Sequence, residues 1–390
     1  MTGKLRQGLP VVSALALALA GCAGPASSDT TRGPVDPQAT ETTRALFMNL
    51  RDLAPTGVLF GHQDDLAYGV HWWDEPGGSD VRAVSGAYPA VFGWELGGIE
   101  KGGPENLDRV PFERIRDWMV KAYELGAVNT VSWHANNPVS GGDAWDTTAA
   151  VAAILPGGSH HELYRSWLDT LAAFFLSVRT AAGEPVPVIF RPFHEMSGGW
   201  FWWGTGSTAA GDYRTLWRFT VEYLRDRKAV HNLLYAYSTG GLAELDEGEY
   251  WTWYPGDEYV DVLGFDDYFT LQRPGPDGGP KALATDLAWL VAQAEARGKI
   301  PAFTETGYET IPDPEWWTDC LLTAFTAEPA ARRIAWVLVW RNANAERDRA
   351  GHFYAPYPGH ASAENFAAFK DAPLILFGDE LPPLYRTDVQ

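Results

Sequence analysis

Cysteine is almost missing. Cys22 and Cys320 are the only two in 390 residues, which excludes a disulfide-built scaffold. Cations are also scarce: 30 Lys and Arg stand against 50 Asp and Glu, a net charge of −20. Such a chain is repelled by phosphate backbones, so no nucleic-acid partner is expected, and no basic cluster offers a membrane-surface patch. Nothing in the sequence is apolar for long enough to span a bilayer as a mature helix. No repeat recurs at a fixed period, which excludes a repeat array. No histidine pair stands at the i, i+4 spacing of a zinc helix. His62 with Asp64 and Asp65, or His194 with Glu195, resemble ligands only superficially. No metal and no cofactor are expected.

Hydrophobic residues make up 46% of the chain, and 18 Trp help bring aromatics to 13%. The first figure suffices for one large core or two modest ones. The second exceeds the needs of an ordinary core, so some rings are candidates for exposed stacking surfaces. The N-terminus reads as an export signal over residues 1–21. Lys4 and Arg6 precede a short apolar run from Val11 to Ala20, and Leu19-Ala20-Gly21-Cys22 follows at once. That tetrad resembles a bacterial lipobox, in which the cysteine is lipidated. The alternative is an ordinary secretory signal with an incidental Cys22. Residues 22–40 are rich in Ala, Gly, Pro, Ser and Thr and read as a flexible tether. The expectation is an exported protein, lipid-anchored to the cell envelope through Cys22 and monomeric, with one catalytic domain over 41–390.

Within that domain short apolar runs alternate with helical patterns. Strand-like runs begin near Gly57, Ala90, Val128, Val186, Asn232, Asp261, Ile300 and Ile334. None alternates cleanly, as expected of parallel strands buried on both faces. Helical patterns include Pro111–Leu125, His160–Ala181, Asp212–Arg227, Lys281–Arg297 and Asp313–Ala327. Pro111 and Pro314 suit first-turn positions, and Gly126 and Gly298 suit C-terminal caps. Eight such units predict an α/β fold, a (β/α)8 TIM barrel. A doubly wound open sheet is the rival. It would show a Gly-rich first turn, whereas the first strand here runs into His62-Gln63-Asp64-Asp65.

Polar residues follow nearly every run: His62, Glu95, His134, Asn136, His194, Glu195, Asp266, Asp267, Tyr268, Glu305, Trp340 and Arg341. In a barrel these positions converge on one mouth. Several buried carboxylates together are costly unless used. Cleaving a glycosidic bond needs a proton for the leaving oxygen and a nucleophile or activated water at the anomeric carbon, and two carboxyl groups supply both. Glu195 and Glu305 end the fourth and seventh runs on nearly opposite sides of an eight-strand mouth. The aromatic run from Trp200 to Trp203 close behind Glu195 favours a neutral acid. Glu305, flanked by Thr304 and Thr306 and expected near Tyr268 and Arg341, suits the ionised partner. Long segments after the third and eighth strands, 138–158 and 343–358, are expected on the face of the mouth, where such loops can wall one end of a cleft.

Arg191-Pro192-Phe193-His194-Glu195 followed by Trp200-Phe201-Trp202-Trp203-Gly204 resembles the acid/base segment of family 26 glycoside hydrolases, known mainly as β-1,4-mannanases. GHQDD at 61–65, WHANNP at 133–138, GFDDY at 264–268, FTETG at 303–307 and VWRN at 339–342 extend the likeness over about 55–375. The resemblance implies a (β/α)8 fold and retention of configuration. It implies Glu195 as acid/base, Glu305 as nucleophile, and substrate contacts at His134, His194, Trp200, Tyr268, Trp340 and Arg341. The implied substrate is β-mannan or its oligosaccharides. The alternatives are mixed-linkage β-glucan or β-1,3-xylan, or a surface glycan-binding protein without catalysis.

Overall fold

The computed structural model describes residues 33–386 apart from 243, 244, 246, 274 and 276. Cys22, the signal-like segment and most of the tether therefore lie outside the described residues. Eight parallel strands form the centre: β1 (Val58–Gln63), β2 (Val91–Glu95), β3 (Val128–Trp133), β4 (Val188–Pro192), β5 (Leu233–Thr239), β6 (Val262–Asp267), β7 (Ile300–Thr306) and β8 (Trp336–Val339). Each pairs with the next, and β1 pairs with both β2 and β8, so the sheet closes on itself. The fold is a (β/α)8 TIM barrel, with a two-residue ninth strand, Ile375–Leu376, beside β1.

Side chains alternate across each strand, and this parity divides the barrel into floor and mouth. Near the strand starts one set is apolar: Leu59, Val91, Val128, Ile189, Leu234, Val262, Ile300 and Trp336 belong to a single buried cluster. Helix α1 (Glu41–Leu53) contributes Leu46, Phe47 and Leu50 to the same cluster and so seals the barrel from below. Continuing with the same parity toward the strand ends gives Glu95, Ser132, Arg191, Ser238, Asp266 and Thr304, all polar and all buried. Burying that many polar groups is tolerable only if they satisfy one another.

Helices α2 (Phe112–Glu124), α3 (His161–Ser177), α4 (Ala210–Glu222) and α5 (Gly279–Arg297) cover the outside. Their apolar faces and the outward strand residues make a second, larger cluster rich in aromatics. Gly126 (φ +81°) and Gly298 (φ +64°) end α2 and α5 in the left-handed region, which glycine enters without steric cost. The prolines differ from expectation. Pro111 precedes α2 as its cap, and Pro314 sits in the turn before the helix that begins at Trp316. Helix α3 stops at Ser177 rather than Ala181, because Arg179 bridges to Pro185 in a short antiparallel contact.

The tether boundary also moves. The Val35 amide donates to Asp261 Oδ1 (2.7 Å), Asp36 Oδ2 lies 2.8 Å from His231 Nδ1, and the Thr40 amide donates to the His231 carbonyl (2.9 Å). Residues 35–40 are thus held against the strand starts of β5 and β6. Ala39 and Asp36 are buried there despite their tether-like composition.

Candidate active site

The chain leaves β4 through an unusual turn. Phe193 (φ +50°) and Glu195 (φ +53°) both occupy the left-handed region, which costs non-glycine residues about 1 kcal/mol or more each. Surrounding bonds hold them there. Tyr213 Oη donates to the Phe193 carbonyl (3.0 Å), Trp203 Nε1 to the His194 carbonyl (2.8 Å), and the Glu195 amide to the Ser238 carbonyl (2.9 Å). The aromatic run behind Glu195 therefore divides. Trp202 and Trp203 are buried scaffold, and Trp202 donates to the Ala135 carbonyl. Only Trp200 reaches the carboxyl, donating from Nε1 to Glu195 Oε2 (2.8 Å) with its ring 42% exposed. Burial pushes the Glu195 carboxyl well above its ordinary range, and the negative charges of Glu305 and Asp266 add to the effect.

Glu305 reaches the mouth through a register slip. Phe265 of β6 pairs with Phe303, but Asp266 pairs with Glu305, so Thr304 is an extra residue on β7. A bulge of this kind re-aims side chains at the end of a strand. Thr304 Oγ1 donates to Asp266 Oδ1 (2.7 Å), and Glu305 meets the Arg191 guanidinium at Oε2 and accepts from Tyr268 Oη at Oε1 (2.6 Å). The second guanidinium nitrogen of Arg191 binds Asp266 Oδ2 (2.5 Å). Burial raises Asp266 to about 7, with Glu305 contributing, although Arg191 and two hydroxyls oppose the rise.

The cation on Glu305 is therefore Arg191, not Arg341. Arg341 turns toward Asp108 (3.0 Å) and Asp348 (2.6 Å), with its guanidinium over the Tyr68 ring. Arg191 shares the inward parity of Ile189 and stands four residues before Glu195.

His134 follows β3 and faces the cavity. Its Nδ1 lies 2.7 Å from Glu95 Oε2, and its own amide donates to Glu95 Oε1 (2.9 Å). The Glu95 carboxylate, though buried, is held below its ordinary range because His134 and Ser132 outweigh the cost of burial. The same pairing raises His134 despite desolvation. His194 lies behind His134, Nε2 to Nε2 at 3.2 Å, and is buried, with burial and Arg191 driving its pKa well down. His194 does not line the cavity; its place is behind His134. His62 Nδ1 sits 2.7 Å from Asp65 Oδ1, and Asp64 accepts from Tyr68 Oη (2.6 Å). Among the described residues no group of three or more His, Cys, Asp or Glu is arranged to hold a metal. Cys320 is a free thiol, partly buried and remote from these residues in sequence and contacts.

One cavity of about 620 Å³ takes in Glu195, Glu305, His134, Trp200, Tyr268 and Trp340. Of the eight residues expected there, His194 and Arg341 alone stay out of its wall. Phe201 of the run behind Glu195 lines it too, as do Trp145 and Tyr354 from the two long segments and Phe269, a residue the sequence did not single out. Trp145 comes from the long segment after β3 and stacks on His134 (5.2 Å, 13°). Its position inside a Gly- and Asp-rich loop hid it from periodicity. The site thus sets a carboxyl disposed to hold its proton against a carboxylate bonded to a cation and a phenol, with aromatic faces around both.

The sequence signature of Glycosyl hydrolase family 26 matches residues 35–328. A mannan endo-1,4-β-mannosidase of Bifidobacterium adolescentis is 36% identical over 349 residues. The match covers 86% of this chain but only 34% of that protein, so the chain spans about a third of that relative's length. A family 26 β-mannanase from Bacteroides ovatus superposes with a TM-score of 0.84 at 43% identity, covering 90% of this chain and 99% of that one. A modular endo-β-1,4-mannanase from Cellulomonas fimi gives 0.83 at 38% identity, covering 92% and 80%. A signature running from the docked segment at residue 35 to the helix after β7 takes in both glutamates and their partners, and the chain belongs to glycosyl hydrolase family 26.

Proposed function

We propose that the protein is an endo-β-1,4-mannanase that cleaves mannan, glucomannan, galactomannan or manno-oligosaccharides with retention, by double displacement. The observation that carries this reading is the pairing of unlike carboxyls in one aromatic-lined cavity. Glu195 retains its proton and stands ready to give it to the leaving oxygen. Glu305 attacks the anomeric carbon, its two oxygens oriented by Arg191 and Tyr268. The resulting glycosyl ester is then hydrolysed by water that Glu195, now deprotonated, activates as base. Trp200 and Trp340 offer ring faces to pyranose C–H groups, and His134 offers a ring nitrogen to a sugar hydroxyl. The naming of the Bifidobacterium, Bacteroides and Cellulomonas relatives supports β-1,4-mannan over β-glucan or β-1,3-xylan.

Reducing-sugar release from mannan, lichenan and β-1,3-xylan tests the substrate, and the anomer first released from mannohexaose tests retention. Glu305→Ala is expected to lower kcat on mannan by about 10³-fold or more. Near wild-type turnover in that variant overturns the assignment.

We further propose that residues 1–21 are a signal and that Cys22 carries the lipid that fixes the protein to the cell envelope. The lipobox-like Leu19-Ala20-Gly21-Cys22 supports this. Mass spectrometry of the mature N-terminus checks it, and an unmodified Cys22 refutes it.

A further inference from the structure

The main cavity has a smaller neighbour of about 60 Å³, and the two share a wall made by Glu195, Trp200, Tyr268 and Phe269. Glu305 lines the larger space but not the smaller. In the double displacement proposed above, the nucleophile works on the sugar that keeps the anomeric carbon, and the acid delivers its proton to the sugar that leaves. Space that touches the acid and not the nucleophile is therefore on the leaving-group side. Gly240 and Gly241 line it, and there an added side chain would crowd its neighbours. A Cβ on Gly241 would fall 2.9 Å from Asp267 Oδ2, and one on Gly240 3.0 Å from Ser197 Oγ.

Phe269 stands at the rim of both spaces. Its side chain is 65% exposed, more than that of any other large apolar residue among those described. A lone exposed ring ordinarily needs no explanation. This one is mounted on a fixed backbone. Asp267 Oδ1 accepts from the amides of Phe269 (2.7 Å) and Thr270 (2.8 Å), while Oδ2 accepts from Thr270 Oγ1 (2.5 Å). Gln272 Nε2 donates to the Tyr268 carbonyl (2.6 Å) and the Gly307 carbonyl (3.3 Å), tying this loop to the one after β7. A carboxylate spends both oxygens, and an amide bridges two loops, to keep an apolar ring in water. Trp145 and Trp200, the other well-exposed aromatic rings, line the same cavity.

We infer that Phe269 is a specificity-determining residue, the platform on which the leaving-side sugar of a β-1,4-linked chain stacks. The inference rests on the hydrolase reading above and deepens it. In water the exposed ring has no apolar partner; against a pyranose face it covers C–H groups and places the glycosidic oxygen before Glu195. Binding at this position helps only substrates that carry a sugar there.

The test compares wild type, Phe269→Ala and Phe269→Tyr on mannotetraose and on β-mannobiosyl fluoride, whose leaving group is a single ion with no face to stack. Phe269→Ala is expected to lower kcat/KM on mannotetraose about tenfold, the worth of one aromatic contact. Turnover of the fluoride should stay within about twofold, since nothing on the leaving side then meets the ring. Phe269→Tyr should restore most of the mannotetraose activity. Equal activity of Phe269→Ala on mannotetraose, or an equal loss on both substrates, overturns the inference alone. A wild type that cleaves neither overturns the hydrolase reading and the inference with it.

Discussion

At the scale of single residues, the proposed acid Glu195 is set by what touches it. Three influences raise Glu195, namely burial, Glu305 and Asp266, and the indole N–H of Trp200 opposes them by bonding the charged form. The acid works protonated, so activity falls on the alkaline side as Glu195 loses its proton. Removing the Trp200 donor disfavours the carboxylate and raises the pKa further. Trp200→Phe should therefore move the alkaline limb of kcat/KM on mannohexaose, whose sugar leaving group needs the proton, to higher pH. A limb that stays put, or moves down, contradicts this account. The place of Glu195 at a strand end was legible in the sequence because a histidine-glutamate pair directly follows an apolar run. Its guanidinium neighbourhood was not. Arg191 reads as part of a strand, and only strand parity in three dimensions turns it toward Glu305, while Arg341, which looked better placed, is claimed by Asp108 and Asp348.

At the scale of elements, strand starts were legible to within two residues because parallel strands buried on both faces read as unbroken apolar runs. The bulge in β7 was not legible. Phe303-Thr304-Glu305-Thr306 reads as regular alternation, and strict alternation would have turned Thr304 and Glu305 to opposite faces. The slip against β6 brings both to the mouth. The segment after β8 shows how one side chain replaces regular structure. Asn342 Nδ2 donates to Asp80 Oδ2 (2.9 Å) and the Ala355 carbonyl (3.0 Å), and its Oδ1 accepts from the amides of Tyr354 and Ala355 (both 2.9 Å). It is fully buried, so nothing else can satisfy those groups. Asn342→Ala is expected to cost about 2–4 kcal/mol of stability, from several buried polar groups left unpaired. It should also raise KM for mannan, because Tyr354 lines the cavity. Denaturant unfolding with kinetics on the same preparation checks both; loss of stability with KM unchanged would separate the loop from substrate binding.

At the scale of the whole molecule, composition misplaced one boundary. Residues 35–40 look like tether, being small, polar and proline-containing, yet they are fastened to the barrel by Asp261 and His231. Composition reports how much apolar surface a segment can bury and says nothing of backbone amides that find acceptors on a preformed surface. A variant lacking residues 1–32 should match the full chain in Tm and activity. Removing residues 1–40 should cost about 2–4 kcal/mol, through the lost Thr40 cap on α1 and the bonds to Asp261 and His231. Equal Tm values for the two truncations would show that the docking contributes nothing.

That docking lies at the strand starts, on the opposite end of the barrel from Glu195 and Glu305. The described chain thus joins the barrel from underneath, as a stem joins a cup. The open rim with both glutamates is left clear on the far side.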